Sequence, residues 1–436
     1  MQSLVDHGAG DNFTMSNAEL NNGRRVLTAS LVGTAIEFYD FYIYATAASL
    51  VFGALFFPTS SPSVQLLSSY ATFGIAFFAR PVGAIAFGHF GDRIGRKSTL
   101  VASLILMGGS TFLIAFLPTY AVVGWVAPAL LCLLRFGQGF GLGGEWGGAA
   151  LLAVENAPPG WRARYGMFPQ LGAPVGFILA NGLFLLLGIS LTAEQFQNWG
   201  WRLPFLASAA LILIGLWIRL RLTETPAFAA ELSKGHPPAV PFFEVIANHP
   251  RALVGGTFAA VVCFAIFYLT TAFALGYGTT TLGIPRTVFL GLQLGAILFL
   301  AAGIIVSGYW ADATSPRRVL MAGCLMTVPV ALVLAPMMQS GSLILIFSFL
   351  ALGLFAMGLV YGPLGGFLPA LFPTRVRYTG ASIAFNTGGI FGGALTPLAA
   401  QALADQGGLM WVGFYLAGAA LISFMALVAL PSKPVE

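Results

Sequence analysis

Five ionisable residues stand inside long apolar runs of this 436-residue chain: Glu37, Asp40, Arg80, Arg135 and Glu145. A charge held in hydrocarbon is costly, so each is a candidate functional group. Glu37 and Asp40 are three residues apart, on one face of any helix that carries them, with Tyr44 one turn further on. A carboxylate in a dry site can load a proton when its ion pair breaks and release it when the pair re-forms. Two neighbouring carboxylates titrate as one coupled system. An arginine offers an anionic substrate a bidentate fork. These residue types together suit a competition. Arg135, with Arg80, pairs with Glu37 or Asp40 in the empty protein; a carboxylate substrate then takes over the arginine while the acid takes a proton. A permanent ion pair that only fixes helix packing is the plainer alternative.

The elements that position these groups follow from composition. Hydrophobic residues make up 58% of the chain and Asp, Glu, Lys and Arg 8%, against about 25% charged residues in soluble domains. The mean hydropathy is +0.86. Val319 to Pro373 contains no Asp, Glu, Lys, Arg or His. Such runs predict membrane-spanning helices, because lipid satisfies no backbone N–H or C=O and a helix satisfies its own. A transmembrane barrel would show short alternating segments instead. Residues 1–25 are polar, and the apolar stretch that follows is too long for a cleavable signal. The apolar runs lay out as twelve spans, near 26–56, 63–90, 98–117, 121–154, 164–189, 201–221, 251–279, 286–310, 318–338, 342–371, 378–401 and 408–430. The expected fold class is an all-α polytopic membrane protein.

Charge placement orients the spans. With the N-terminus inside, every Lys and Arg except Arg80, Arg135, Arg202 and Arg286 falls on the cytoplasmic side. This positive-inside asymmetry puts both termini in the cytoplasm and accounts for the net charge of +5 without a nucleic-acid partner. Cys132, Cys263 and Cys324 are odd in number and far apart, so neither a disulfide framework nor a metal cage is expected, and no cofactor other than the proton as coupling ion. The run Gly137-x-Gly139-x-Gly141-x-Gly143-Gly144 follows no strand and lacks the Lys-Ser/Thr of a nucleotide loop; it suits close helix approach.

Two patterns occur twice. Gly88-His-Phe-Gly-Asp92-Arg93-Ile-Gly-Arg96-Lys97 returns in degraded form as Gly308-Tyr-Trp-Ala-Asp312-Ala-Thr-Ser-Pro-Arg317-Arg318, an offset of 220 (88 to 308). Arg162-Ala-Arg164-Tyr165-Gly166 returns as Arg375-Val-Arg377-Tyr378-Thr-Gly380, an offset of 213 (162 to 375). The chain therefore divides into a cytoplasmic tail (1–25), a six-helix bundle (26–222), a cytoplasmic linker (223–250), a second six-helix bundle in parallel repeat (251–430) and a short tail (431–436). Duplicated bundles with a site at their midplane interface are a transporter architecture.

The Gly88–Lys97 loop resembles the signature loop of the major facilitator superfamily. Arg135-x-x-Gln138-Gly139 resembles its second motif, and Glu224-Thr225-Pro226 the motif that ends its first half. Gly33-Thr-Ala-Ile-Glu37-Phe-Tyr-Asp40, Phe78-Ala-Arg80-Pro81-Val-Gly83 and Gly143-Gly144-Glu145-Trp146-Gly-Gly148 are similar to the metabolite:proton symporter family, above all to its shikimate-type and functionally unassigned bacterial members. That family's members carry α-ketoglutarate, citrate, shikimate, or proline and betaine. The resemblance implies the major-facilitator fold and a latch on the cytoplasmic side built from Asp92, Arg93 and Arg96. In it Asp92 sits at a helix N-terminus and Arg96 reaches an acid such as Glu155. Glu145 and Asp312 are further gating candidates, although Ala313 and Pro316 depart from the signature pattern.

The expected function is proton-coupled symport of a small carboxylate-bearing metabolite across the inner membrane by alternating access, in a monomer. Glu37 and Asp40 are the proton-coupling candidates. Arg135, Arg80, Gln138 and Tyr44 are the substrate-binding candidates of the first half. Tyr268, Tyr361 and Asn386, with Gln293, supply hydrogen bonds from the second. An exporter or antiporter is the alternative, through Gly172-Ala-Pro174-Val-Gly176; so is a symporter of proline- or betaine-like zwitterions. Nothing in the chain resembles a Ser-His-Asp set or a Cys/His cluster, so enzyme and sensor readings are remote.

Overall fold

The computed structural model describes residues 17–58, 61–94, 96–220, 241–373 and 376–431; the side chains of 17–26, 29, 88–100, 152, 218–219 and 241 are outside the described residues. His89, Asp92, Arg93, Arg96 and Lys97 of the signature loop therefore lie outside the described side chains, as do residues 221–240 of the expected linker.

Among the described residues, ten helices are long and apolar enough to cross a membrane. They are α1 (Ser30–Phe56), α2 (Pro62–Phe87), α4 (Val126–Glu155), α5 (Arg162–Ser190), α6 (Gly200–Trp217), α7 (Pro250–Thr280), α8 (Arg286–Ala313), α9 (Pro316–Met338), α10 (Leu343–Ala370) and α12 (Leu409–Ala429). Two further helices fill the remaining expected places. One is α3 (Arg96–Ile114). The other is α11, which runs from Arg377–Gly389 through a π-helical turn at Ile390–Ala394 into Leu395–Gly407. Among the described residues the protein is thus all-α with no strand, and multi-pass, with ten candidate spans and two further helices in the remaining expected places. Within the expected linker the chain forms a short helix, Pro241–Asn248, packed on α7.

Glycine spacing sets the tightest crossings. A β-carbon at Gly139 of α4 would fall 2.2 Å from the Ala76 carbonyl oxygen, and one at Gly143 would fall 2.1 Å from that of Arg80. Four residues apart, these two glycines form one groove that receives α2. Arg80 and Arg135 are thereby brought to the same crossing. On α5, Gly172 and Gly176 receive α1 in the same way: β-carbons there would meet Thr34 and the Ala35 carbonyl at 2.2 and 2.7 Å. The Gly172–Gly176 segment is where α5 lies closest against α1.

The two halves meet along α5 against α8 and α2 against α11. At the signature-loop end they are tied by Asp312 of α8. Its carboxylate accepts from the backbone N–H of Ala163 (2.8 Å) and of Arg164 (3.1 Å), and from Arg164 Nε (2.8 Å). These donors belong to the first turn of α5, where an anion is favoured. Tyr378 Oη donates to the Gly144 carbonyl, and Asn386 Nδ2 to that of Gly143 at 2.9 Å. Glu155 at the end of α4 is exposed.

The opposite end is tied differently. The apolar helices α1 and α7 each contain a π-helical turn, at Ala48–Phe52 and Leu269–Phe273. Their separation, 221 residues (48 to 269), matches the sequence repeat, so the two turns are related positions of the two halves. A π-turn shifts the backbone ladder and turns carbonyls outward. Ala272, in the second turn, uses its carbonyl to accept from Ser49 Oγ (3.1 Å) and Tyr70 Oη (2.9 Å), both from the first half. Ser63 Oγ donates to Asp405 at 3.3 Å nearby on the surface. Among the described residues, the halves are bridged at both ends.

Candidate functional site

A cavity lies between the halves. It is lined by Glu37, Phe38 and Tyr42 of α1, Arg80 of α2, and Leu142 and Trp146 of α4. From the second half come Cys263, Phe264, Phe267 and Tyr268 of α7, Met357 and Tyr361 of α10, and Phe385 and Asn386 of α11. Its volume is about 40 Å³. That holds a water or two and falls far below the about 300–1,000 Å³ of small-molecule sites. The described residues bridge the two halves on both sides of this cavity.

The sequence candidates separate into two groups. Glu37, Arg80, Tyr268, Tyr361 and Asn386 line the cavity. Asp40, Tyr44, Arg135, Gln138 and Glu145 are buried behind its wall in the first bundle. Gln293 is engaged elsewhere, donating to the carbonyls of Thr270 (3.1 Å) and Thr271 (2.8 Å) beside the α7 π-turn.

Arg80 is held by rings. Its guanidinium carbon lies 4.3 Å from the Phe41 centroid and 4.7 Å from that of Phe77, and its buried Nε has no hydrogen-bond partner among the described residues. Tyr42, Tyr268, Tyr361 and Glu37 are the titratable groups around it. An anion entering the cavity would find a dehydrated, unsatisfied donor set.

Arg135 does not make the expected ion pair with Glu37 or Asp40. Its Nη1 donates to Gln138 Oε1, and Nε and Nη2 reach the Phe73 carbonyl at 3.4 and 3.5 Å. The guanidinium stacks on Tyr44 (4.0 Å), Phe41 (4.3 Å) and Phe73 (5.0 Å). The physical reason is local. Gln138 is three residues along the same helix and shares its face, while neither Asp40 carboxyl oxygen has a hydrogen-bond partner among the described residues. Gln138 Nε2 in turn donates to the Asp40 backbone carbonyl and to Thr111 Oγ1, both at 2.8 Å. Tyr44 Oη donates to Thr72 at 2.8 Å. The Phe41 ring thus stands 4.3 Å from both guanidinium groups and forms the partition between Arg80 and Arg135. Glu145 accepts from Ser103 Oγ at 2.5 Å inside the bundle.

Sequence reasoning passed over the aromatic lining. Trp146 and Phe385 stack across the two halves, centroids 3.7 Å apart and planes within 5°. Trp146 Nε1 donates to Gln170 Oε1 at 3.3 Å. Phe38 stacks on Tyr42 at 5.4 Å and meets Tyr361 edge-on at 6.4 Å. Aromatic residues are common in apolar spans, so composition alone does not single these out. The one available signal was a tryptophan set among the glycines of 143–148.

Twelve helices in two repeated halves, closing on a charged and aromatic central cavity, define a polytopic membrane transporter. The chain belongs to the Major Facilitator Superfamily, whose family model matches residues 30–390. It is similar to the inner membrane metabolite transport protein YhjE of Escherichia coli (strain K12), 50% identical over 414 residues covering 94% of each chain. It is 37% identical to the shikimate transporter of the same organism, covering 98% of both chains. To the proline/betaine transporter of that organism it is 30% identical, over 93% of this chain and 83% of that one. The xylose transporter XylE from E. coli, in a partially occluded inward-open conformation, superposes with a TM-score of 0.74 over 94% of this chain and 97% of the other. At 15% identity, that likeness concerns the fold alone. These relatives are named as transporters, and the protein is a metabolite transporter of this superfamily, not an enzyme.

Proposed function

We propose that the protein is a proton-coupled symporter of a small carboxylate-bearing metabolite, working by alternating access in the inner membrane with both termini cytoplasmic. The observation that carries this reading is Arg80. It is a buried guanidinium on the wall of the central cavity, propped on two rings, with Nε unsatisfied and no carboxylate hydrogen-bonded to it among the described residues. A substrate carboxylate supplies the missing acceptor, and Asn386 and Tyr361 supply polar contacts from the other half. The carboxylates Glu37, on the wall, and Asp40, behind it, are the proton carriers, so that one negative charge enters with at least one proton. Arg135 stays in its aromatic cage and senses Arg80 through the shared Phe41 ring.

A zwitterion is the second reading, favoured by the lining itself. The rings of Phe38, Tyr42, Trp146, Phe264, Phe267, Tyr268, Tyr361 and Phe385 surround the cavity, and Glu37 gives a substituted ammonium a countercharge. The names of the shikimate and the proline/betaine relatives fit one reading each. Thermal unfolding of the purified protein decides between them. A panel of mono-, di- and tricarboxylates, betaines and sugars should show concentration-dependent stabilisation by one carboxylate class, lost in Arg80→Ala. Stabilisation by sugars or uncharged compounds alone, or stabilisation by acids that survives Arg80→Ala, would overturn the reading.

A further inference from the structure

Span α4 is interrupted where it meets the second half. Its helix runs Val126–Leu142, breaks, and resumes as Glu145–Glu155 with Gly144 as the N-cap. The Gly143 carbonyl precedes that cap and stands outside the ladder of the helix that follows. Gly143 itself packs on the Arg80 backbone, so its neighbours are also neighbours of the Arg80 crossing.

One face of α11 covers this break. Tyr378, Ser382 and then Phe385 and Asn386 follow one another at three- to four-residue spacing. Tyr378 donates to the Gly144 carbonyl, and Phe385 stacks on Trp146. A β-carbon on Gly147 would fall 2.1 Å from Ser382 Oγ. Asn386 is 2% exposed, and its Nδ2 donates to the Gly143 carbonyl at 2.9 Å. That bond fixes the amide. A peptide carbonyl only accepts, so the nitrogen of Asn386 faces Gly143 and Oδ1 is the atom left over. Oδ1 accepts no hydrogen bond among the described residues.

Asn386 lines the central cavity, where the other polar groups play different parts. Arg80 only donates. Trp146 Nε1 is spent on Gln170, and Cys263 Sγ on the Ala260 carbonyl. Tyrosine hydroxyls turn to either role, and Glu37 changes role with its proton. Asn386 Oδ1 is therefore the fixed acceptor of the wall. A substrate whose carboxylate sits on Arg80 is met from the second half by an oxygen. An acid with only carbon there leaves that oxygen buried and unpaired, and a second carboxylate brings another acceptor against it. A hydroxyl or an N–H satisfies it. We infer that Asn386 determines specificity, by accepting from a hydroxyl or N–H group that the substrate carries beside its carboxylate. Hydroxy acids and acids with a hydrogen-bearing ammonium fit. Plain mono- and dicarboxylates and fully N-methylated betaines do not. The inference rests on the carboxylate reading above and narrows its substrate class.

Matched pairs of acids test it, by thermal unfolding and titration calorimetry of the purified protein. The pairs are 2-hydroxypropanoate and propanoate, malate and succinate, proline and N,N-dimethylproline, and shikimate and 1-cyclohexenecarboxylate. In the pair that binds, the donor-bearing acid should bind about 10-fold or more tightly than its partner. Asn386→Leu should bring that ratio to within about twofold, by weakening the donor-bearing acid. A merely structural role would weaken both members equally and keep the ratio. If Asn386→Leu does not yield folded protein, Asn386→Ala carries the same comparison, and the ratio in the unmodified protein stands without either. Equal binding within the pair, or a ratio that persists in the folded variant, overturns the inference; where both acids are still lost in Arg80→Ala, the carboxylate reading stands. Binding by none of these acids, or binding untouched by Arg80→Ala, defeats the carboxylate reading and this inference with it.

Discussion

Asp312 bridges the halves at the signature-loop end, and removing it should open that end. Its carboxylate, 5% exposed, accepts two backbone N–H bonds from the first turn of α5 and one from Arg164. Arg164 is 26% exposed, so its share is screened and small. The two backbone bonds resemble a helix cap with a charged acceptor, and losing them costs about 2 kcal/mol. Because these bonds exist only when the halves are closed at this end, Asp312→Ala should raise the open fraction about 30-fold while that fraction is small. The chain carries its own reporter. Cys263 lines the cavity and is 1% exposed in this structure. With Cys132 and Cys324 replaced by alanine, a membrane-impermeant thiol reagent applied from the signature-loop side should label Cys263 about 10- to 30-fold faster in Asp312→Ala than in its parent. Labelling within twofold of the parent, or acceleration from the opposite side instead, would refute the role given to this bridge.

Other expectations concern the same framework. Removing both donors to the Ala272 carbonyl, by Ser49→Ala with Tyr70→Phe, should cost about 1 kcal/mol for each bond and accelerate Cys263 labelling from the opposite side. Arg80→Ala should weaken binding of the stabilising carboxylate by about 10- to 100-fold in titration calorimetry. Arg135→Ala should act already on the empty protein. It strands Gln138 and three ring faces, and should lower thermal stability by about 2–4 kcal/mol. Gly139→Ala drives a β-carbon into the Ala76 backbone and should cost about 1–3 kcal/mol or prevent folding, seen as aggregation on gel filtration.

Much of the architecture is legible in the residues. The scarcity of charge announces the spans, the duplicated Asp92 and Asp312 loops announce the two halves, and Glu37 and Arg80 announce the cavity. What is not legible is the choice among partners. Arg135 has the glutamine of its own helix within reach and a ring on each side. Residue types alone do not say that these would outcompete a carboxylate on α1. The paired π-turns leave no compositional trace; Ala48–Phe52 and Leu269–Phe273 share little beyond their separation. The second-half loop illustrates the reverse case. Its departures at Ala313 and Pro316 leave Asp312 intact, and the aspartate alone is what reaches the first turn of α5.

A carboxylate that enters at Arg80 with a proton removes that proton from the outside medium. The most direct measurement is the external pH of lightly buffered proteoliposomes, with no imposed gradient, when the stabilising carboxylate is added outside. External alkalinisation is expected on addition, abolished by a protonophore, by Arg80→Ala and by Asp40→Asn. Substrate entry with no pH change, or with acidification outside, would contradict it.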